Sequence, residues 1–281
     1  MRTSLESALK EFRRQVRHSR RRGDAASIHR LRVVSRRLVV WCELLEILGA
    51  GSRASEARRR VKRMLRSLAR LRDLHVQRQL LATVPSALKP AARILRRELR
   101  REQPERARRV HARCRGLHPS RIGRLILEAA GATPVGATPV VPESDARLVR
   151  DLARWLAGLE REARHRLQAA RAARPETLHG LRIAVKHLRY GLELAWTADP
   201  RAPAAAARRL RDLQAVLGEI QDADVCRALV LARVESHPDD ARQLAPLQRW
   251  LERRRDARIR RVLRRRRTLL PAVTPDAGGS G

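Results

Sequence analysis

Aromatic rings are scarce in this sequence: one Tyr, one Phe and four Trp among 281 residues. Trp41, Trp155, Trp196 and Trp250 fall at apolar positions of helical patterns and read as core, which leaves few rings to stack on nucleic-acid bases. Cysteine is equally thin. Cys42, Cys114 and Cys226 are odd in number, scattered and without metal-ligand spacing, so neither a disulfide framework nor a zinc site is expected. Cys42 and Cys226 lie in helical patterns and read as reduced packing residues. No uninterrupted apolar run reaches the roughly 18 residues of a membrane span. Met1 to Arg22 is too polar and basic for a signal peptide. The expectation is a cytoplasmic protein with no membrane partner.

Acidic residues are outnumbered, 29 against 64 basic ones. The sequence shows no carboxylate cluster suited to Mg²⁺ around phosphate, no P-loop, and no alternating acidic strands of the kind that line a triphosphatase tunnel. A phosphohydrolase or a histidine-based metal site is therefore the weakest of three function classes. The sequence reads as a binding protein with no catalytic residue, metal or cofactor. Lysine is rare as well, at Lys10, Lys62, Lys89 and Lys186 only. Almost all the positive charge is guanidinium, which stays charged and grips phosphate oxygens with a planar fork.

What the chain does have is charge and helix. Its formal net charge is +35 and its pI about 11.9. A charge that large opposes compaction by self-repulsion and calls for counter-anions. Hydrophobic residues make up 43% of the chain, enough for one large domain or two ordinary ones.

Two stretches stand out, Ile28 to Leu45 and Leu178 to Ala195. Wound as helices, each separates into two faces. In the first, His29, Arg32 and Arg36 form one stripe with Arg37 beside it, opposite Leu31, Val34, Leu38, Trp41, Cys42 and Leu45. In the second, His179, Arg182, Lys186 and Arg189 oppose Leu181, Ala184, Leu188, Leu192 and Ala195. Each helix offers a histidine followed by cations at i+3 and i+7. Glu193 is the one acid near either stripe.

Along the chain, helices are predicted over 4–22, 26–48, 54–82 and 91–115, the last with a kink at Pro104, followed by a short segment over 119–130. Residues 131–143, containing GATPVGATPVVP, read as a Pro/Gly linker. Helical patterning then resumes over 144–171, 176–197, 203–235 and 240–270, and 271–281 reads as a disordered tail. The third helices repeat in register: Leu68-Ala69-Arg70-Leu71-Arg72-Asp73 with Val76 aligns on Leu217-Gly218-Glu219-Ile220-Gln221-Asp222 with Val225. Upstream, Arg59 matches Arg208 and Lys62 matches Arg211. The expected fold is all-α: two antiparallel four-helix bundles, residues 1–130 and 144–270, related by an internal pseudo-two-fold from tandem duplication.

The motifs His29-x-x-Arg32-Val33-x-x-Arg36-Arg37-Leu38 and His179-x-x-Arg182-Ile183-x-x-Lys186-His187-Leu188-Arg189-Tyr190 resemble the signature of the CHAD family, the conserved-histidine α-helical domain. Arg72-Asp73-x-x-Val76 and Leu217-Gly218-x-x-x-Asp222-x-Asp224-Val225 resemble its third-helix motif, once per half. The resemblance covers roughly residues 4 to 270. It implies a basic central channel that binds inorganic polyphosphate without known catalysis, in a protein associated with polyphosphate granules. Gln221 departs from the pattern where an arginine is expected, Ala69 stands where the second half has Gly218, and His187 replaces a basic residue beside Lys186.

Polyphosphate has no bases to read, so its recognition needs donors spaced along a groove. Positions i, i+3 and i+7 span roughly 10 Å of helical rise, enough to touch successive phosphates. The candidate polyphosphate-binding residues are His29, Arg32, Arg36, Arg37, Arg59, Lys62 and Arg66 in the first half, and His179, Arg182, Lys186, Arg189, Arg208 and Arg211 in the second. Binding should weaken with salt and strengthen toward mild acid as His29 and His179 protonate. His18, His75, His111, His118, His165 and His237 read as surface or packing residues. Asp73 and Asp222 read as structural ion pairs or histidine-orienting groups rather than catalytic acids. Sequence-nonspecific nucleic-acid binding remains the alternative function, and incidental binding at low salt is expected.

Overall fold

The computed structural model describes residues 2–131, 142–196, 204–266 and 268–270. Among them are ten α-helices and no strand. The linker core over 132–141 and the tail over 271–281 lie outside the described residues.

Helix α1 (Arg2–Arg21) sinks Leu5, Leu9, Phe12 and Val16, one side chain per turn, into the interior. A tight turn follows at Gly23, whose φ of 59° suits glycine. A Cβ there would also lie 1.8 Å from Nε2 of His111, so that ring would have to shift as well. Asp24 caps α2 (Ala25–Ile47), its carboxylate accepting from the Ser27 amide at 2.7 Å. The predicted apolar stripe of α2 is buried from Leu31 to Leu45, Trp41 included. Gly49, at φ 94°, ends this helix; the Ala50 amide reaches back to the Leu45 carbonyl at 2.9 Å in the Schellman pattern.

The segment expected to be one third helix is two: α3 (Gly51–Ser67) and α4 (Ala69–Ala82), interrupted at Leu68. Beside the break, the Ser67 hydroxyl donates to the Met64 carbonyl at 2.7 Å, competing with the helical ladder. The corresponding helix of the second half, α9 (Ala204–Ser236), runs unbroken. Helix α5 (Lys89–Arg115) continues through Pro104, and the segment after it is a full helix, α6 (Pro119–Gly131). Helices α7 (Pro142–Ala169), α8 (Pro175–Trp196) and α10 (Ala241–Arg264) complete the order. Helix α10 stops short of the predicted end at 270.

Two apolar cores form, and both draw on residues from each side of the linker. The larger joins α1, α2, α3 and α6 to α7, α8 and the first turns of α9, with Leu31, Leu38, Leu181 and Leu188 deep inside. The smaller joins Leu74, Leu81, Leu95 and Leu99 of α4 and α5 to Cys226, Val230, Leu244, Leu247 and Leu251 of α9 and α10. Each fully buried leucine contributes about 1.5–3 kcal/mol of transfer free energy. Helices α2 and α8 pack directly on one another, and α4 packs on α9. All three cysteines are buried free thiols, as packing residues should be.

Candidate functional site

Because α2 and α8 turn their leucines into the shared core, their cationic stripes are carried to the seam between them, beside α4 and α9. Arg36 is the hub. It lies close enough to His29, Arg32, Arg72, Arg182 and Lys186 to oppose a proton on each of them. Arg72 enters from α4, and Arg182 and Lys186 from α8. Two carboxylates answer this cluster: Asp73 and Asp222 act favourably on Arg72 and Arg182, and Asp73 also on Arg32.

Burial and mutual repulsion both show in the proton affinities. Loss of water, and then the charges of Arg36, Arg182, Arg32 and Arg189, push Lys186 down to about 6. No acid is among its strongest influences. Burial, then Arg36, lowers Arg32 to about 10, even though its guanidinium donates to the Leu65 carbonyl at 2.9 Å. Arg182 is lowered by the same causes, and its buried Nε has no hydrogen-bond partner among the described residues. Burial raises Asp222, against the pull of Arg182 and Arg72. For His29, loss of water and then Arg72, Arg36, Arg32 and Arg30 lower the ring below the ordinary histidine range.

The repeat is visible in the contacts of the two histidines. His29 feels Arg72 first among the charges around it. His179 bonds through Nδ1 to Oε1 of Gln221 at 2.6 Å, and residue 221 is the counterpart of 72. The Gln221 substitution thus leaves a side chain that holds the second histidine without competing with it for an anion.

Of the thirteen candidate residues, the structure brings His29, Arg32, Arg36, Arg182 and Lys186 into one cluster, with Arg189 at its edge. Arg189 is largely engaged elsewhere: it pairs with Glu193, donates to Gln214 at 2.8 Å, and stacks on Tyr190 with 4.3 Å to the ring centroid. Arg37 turns away and pairs with Glu193 at 3.2 Å. Lys62 belongs to a separate knot around Glu43, at 3.4 Å, shared with Arg58 and His187. Arg66 lines another cavity, between α3, α5 and α6. Arg59, Arg208 and Arg211 are exposed on α3 and α9.

The hub's other partner, Arg72, was missed as a binding residue, although it stands in the third-helix motif. Its alignment with Gln221, beside the paired Asp73 and Asp222, was the available signal. Trp41 and Trp155 are buried as expected, and the side chain of Trp196 lies outside the described residues. Among the described residues, no group of three or more His, Cys, Asp or Glu side chains is arranged to hold a metal ion. No described helix is long and apolar enough to cross a membrane.

The sequence profile of the CHAD domain matches residues 3–231 and 196–270. The chain belongs to the CHAD family. A crystal structure of the CHAD domain from the plant Ricinus communis superposes with a TM-score of 0.65 at 19% identity, covering 92% of this chain and 89% of that one. That likeness establishes the fold. No curated protein matches the sequence significantly. Within the CHAD fold, the ridges from α2 and α8 are the pair of histidine-bearing helices that the sequence resemblance singled out.

Proposed function

We propose that this CHAD protein binds inorganic polyphosphate along the seam between α2 and α8, as a non-enzymatic cytoplasmic protein of polyphosphate granules. One observation carries the reading: Arg32, Arg36, Arg72, Arg182 and Lys186 converge from both halves of the chain with too few acids to neutralise them. Such a cluster is electrostatically incomplete, and a strand carrying about one charge per phosphate completes it. Guanidinium forks suit phosphate oxygens at every step of the strand. The equivalent placement of Arg72 near His29 and of Gln221 against His179 supports two halves, residues 1–130 and 144–270, arranged about a pseudo-two-fold with the strand near its axis.

Calorimetric titration with polyphosphates of defined length, at physiological salt and against duplex DNA, tests the proposal. Long-chain polyphosphate should displace DNA, and the reverse should need far more competitor, because the cluster offers charge without rings to stack on bases. Arg32→Ala with Arg182→Ala should weaken polyphosphate binding at least about 100-fold, since each removes a charge-assisted contact of about 1.5–3 kcal/mol. Arg261→Ala with Arg264→Ala, near the end of α10, should change it by less than about threefold. Equal losses from the two pairs would show that the charge acts only as a diffuse cloud. Phosphate release from polyphosphate by the pure protein would overturn the non-enzymatic part.

A further inference from the structure

A second cavity, of about 600 Å³, opens between α3, the end of α5 and the start of α6. Arg60, Arg63, Arg66, Arg113 and His118 line it, with Met64, Leu117 and Ile122 supplying an apolar wall, and among the described residues no carboxylate lines it. Arg60 is held by Glu56, its Nε donating at 2.9 Å. Arg63, Arg66 and Arg113 have no ion-pair partner among the described residues.

The groove next to it provides an internal comparison. It too lies between α3–α4 and α5, it shares Ser67, and it carries Arg70, Arg106 and Arg109. There, however, Glu102 and Glu105 line the wall as well, and they pair with Arg106 and Arg109. One groove is neutralised from within, and its neighbour is left uniformly cationic. The cationic one is also separate from the α2–α8 cluster: none of its arginines is among the charges acting most strongly on Arg32, Arg182 or Lys186.

We propose that this cavity is a second, independent anion site, for a compact molecule bearing a short run of phosphates. Arg63, Arg66, Arg113 and His118 grip the phosphates, and the wall of Met64, Leu117 and Ile122 leaves room for an organic body beside them. Its volume falls within the roughly 300–1,000 Å³ of small-molecule sites, well beyond what one phosphate group fills. Free oligophosphate and a nucleoside triphosphate share this chemistry. The site does not depend on the reading of the central cluster.

The test is calorimetric titration of an Arg36→Ala/Lys186→Ala variant, which lacks the central hub, with inorganic tripolyphosphate, ATP and adenosine. The expected result is saturable binding of one tripolyphosphate or ATP per chain, and none of adenosine. ATP binding as tightly as tripolyphosphate or more so assigns the apolar wall to a base or sugar; tripolyphosphate binding tighter assigns the site to free oligophosphate. Adding Arg63→Gln and Arg113→Gln, both exposed side chains, should weaken the retained binding at least about tenfold. In the otherwise unaltered chain, those two substitutions should leave long-chain polyphosphate binding within about threefold. No saturable binding to the Arg36/Lys186 variant, or binding indifferent to the glutamine pair, overturns the site. Loss of long-chain binding on removing Arg63 and Arg113 alone overturns its independence.

Discussion

If polyphosphate binds at the seam as proposed, Lys186 should make that binding a proton-linked event. In the empty protein its pKa is about 6, so roughly one molecule in ten carries the ammonium at pH 7, and roughly one in a hundred at pH 8. A phosphate seated against Arg36, Arg182 and Lys186 supplies the missing counter-charge and returns the amine toward its ordinary range. Binding at pH 7 then takes up close to one proton at this residue. Affinity should rise about tenfold from pH 8 to 7 and about fivefold more to pH 6, then level off, a total of roughly 2 kcal/mol. The groups facing this amine are Arg32 and Arg36 from α2 and Arg182 and Arg189 from α8. His29, lowered by burial and by Arg72, contributes a further component at the acid end, so His29→Gln is measured in parallel. Calorimetry with long-chain polyphosphate in two non-phosphate buffers of different ionisation heat reads the protons directly. Lys186→Met should abolish most of the uptake at pH 7. Equal uptake by the wild type and Lys186→Met would refute the reasoning. The same residue works against the empty fold. Its folded pKa lies below the unfolded value of 10.5, so the unfolded chain holds the extra proton between those values. Stability therefore falls as pH drops from about 10 to 6. Lys186→Met should raise the melting temperature near neutrality and flatten its pH slope.

Two further outcomes are expected. Gln221→Arg places a guanidinium at the counterpart of Arg72, releases His179 from its 2.6 Å bond, and should tighten polyphosphate binding by about 1 kcal/mol while steepening its salt dependence by roughly 0.7 in log–log slope; unchanged affinity and slope would place residue 221 outside the path of the strand. Gly23→Ala meets both a φ of 59° and a Cβ position 1.8 Å from His111, and should cost about 2–3 kcal/mol in denaturant unfolding, whereas Gly51→Ala, with open space around its Cβ position, should be near neutral.

The histidine ridges were legible in the sequence because one physical rule decides them: a 3.6-residue period that buries Leu31, Leu38, Leu181 and Leu188 must bring Arg32, Arg36, Arg182 and Lys186 to the opposite side. Gly23 and Gly49 follow the first two predicted helices directly, and the backbone there, at φ 59° and 94°, selects for glycine. Pairing across the fold was not legible. Lys62 has the right spacing, but Glu43 lies 19 residues upstream on another helix and claims it. Arg37 is drawn off in the same way by Glu193 of α8, whereas Arg189 meets the same carboxylate one turn along its own helix. Arg66 sits a single turn beyond Lys62, yet lines a different cavity. The break at Leu68 has neither glycine nor proline to announce it. Nor does periodicity reveal that a lysine counted in the net charge is mostly neutral at pH 7, because that follows from who surrounds it.

The shared cores explain how such a cluster survives without an anion. Like charges held near one another away from bulk water repel, and Arg36 acts against the protons of Arg32, Arg72, Arg182 and Lys186. A division of the hydrophobic interior at the linker would let the two halves drift apart and relieve that repulsion. Instead the larger core runs from α1 through α2 into α7 and α8, and the smaller ties α4 and α5 to α9 and α10. Opening the seam would expose leucines on both sides of it, each worth about 1.5–3 kcal/mol. Some of the surface charge is balanced locally, by pairs one helical turn apart such as Glu56 with Arg60 and Glu162 with Arg166. On the proposed reading, an arriving phosphate strand would meet groups already in position, and its binding free energy would go into relieving their repulsion rather than assembling them.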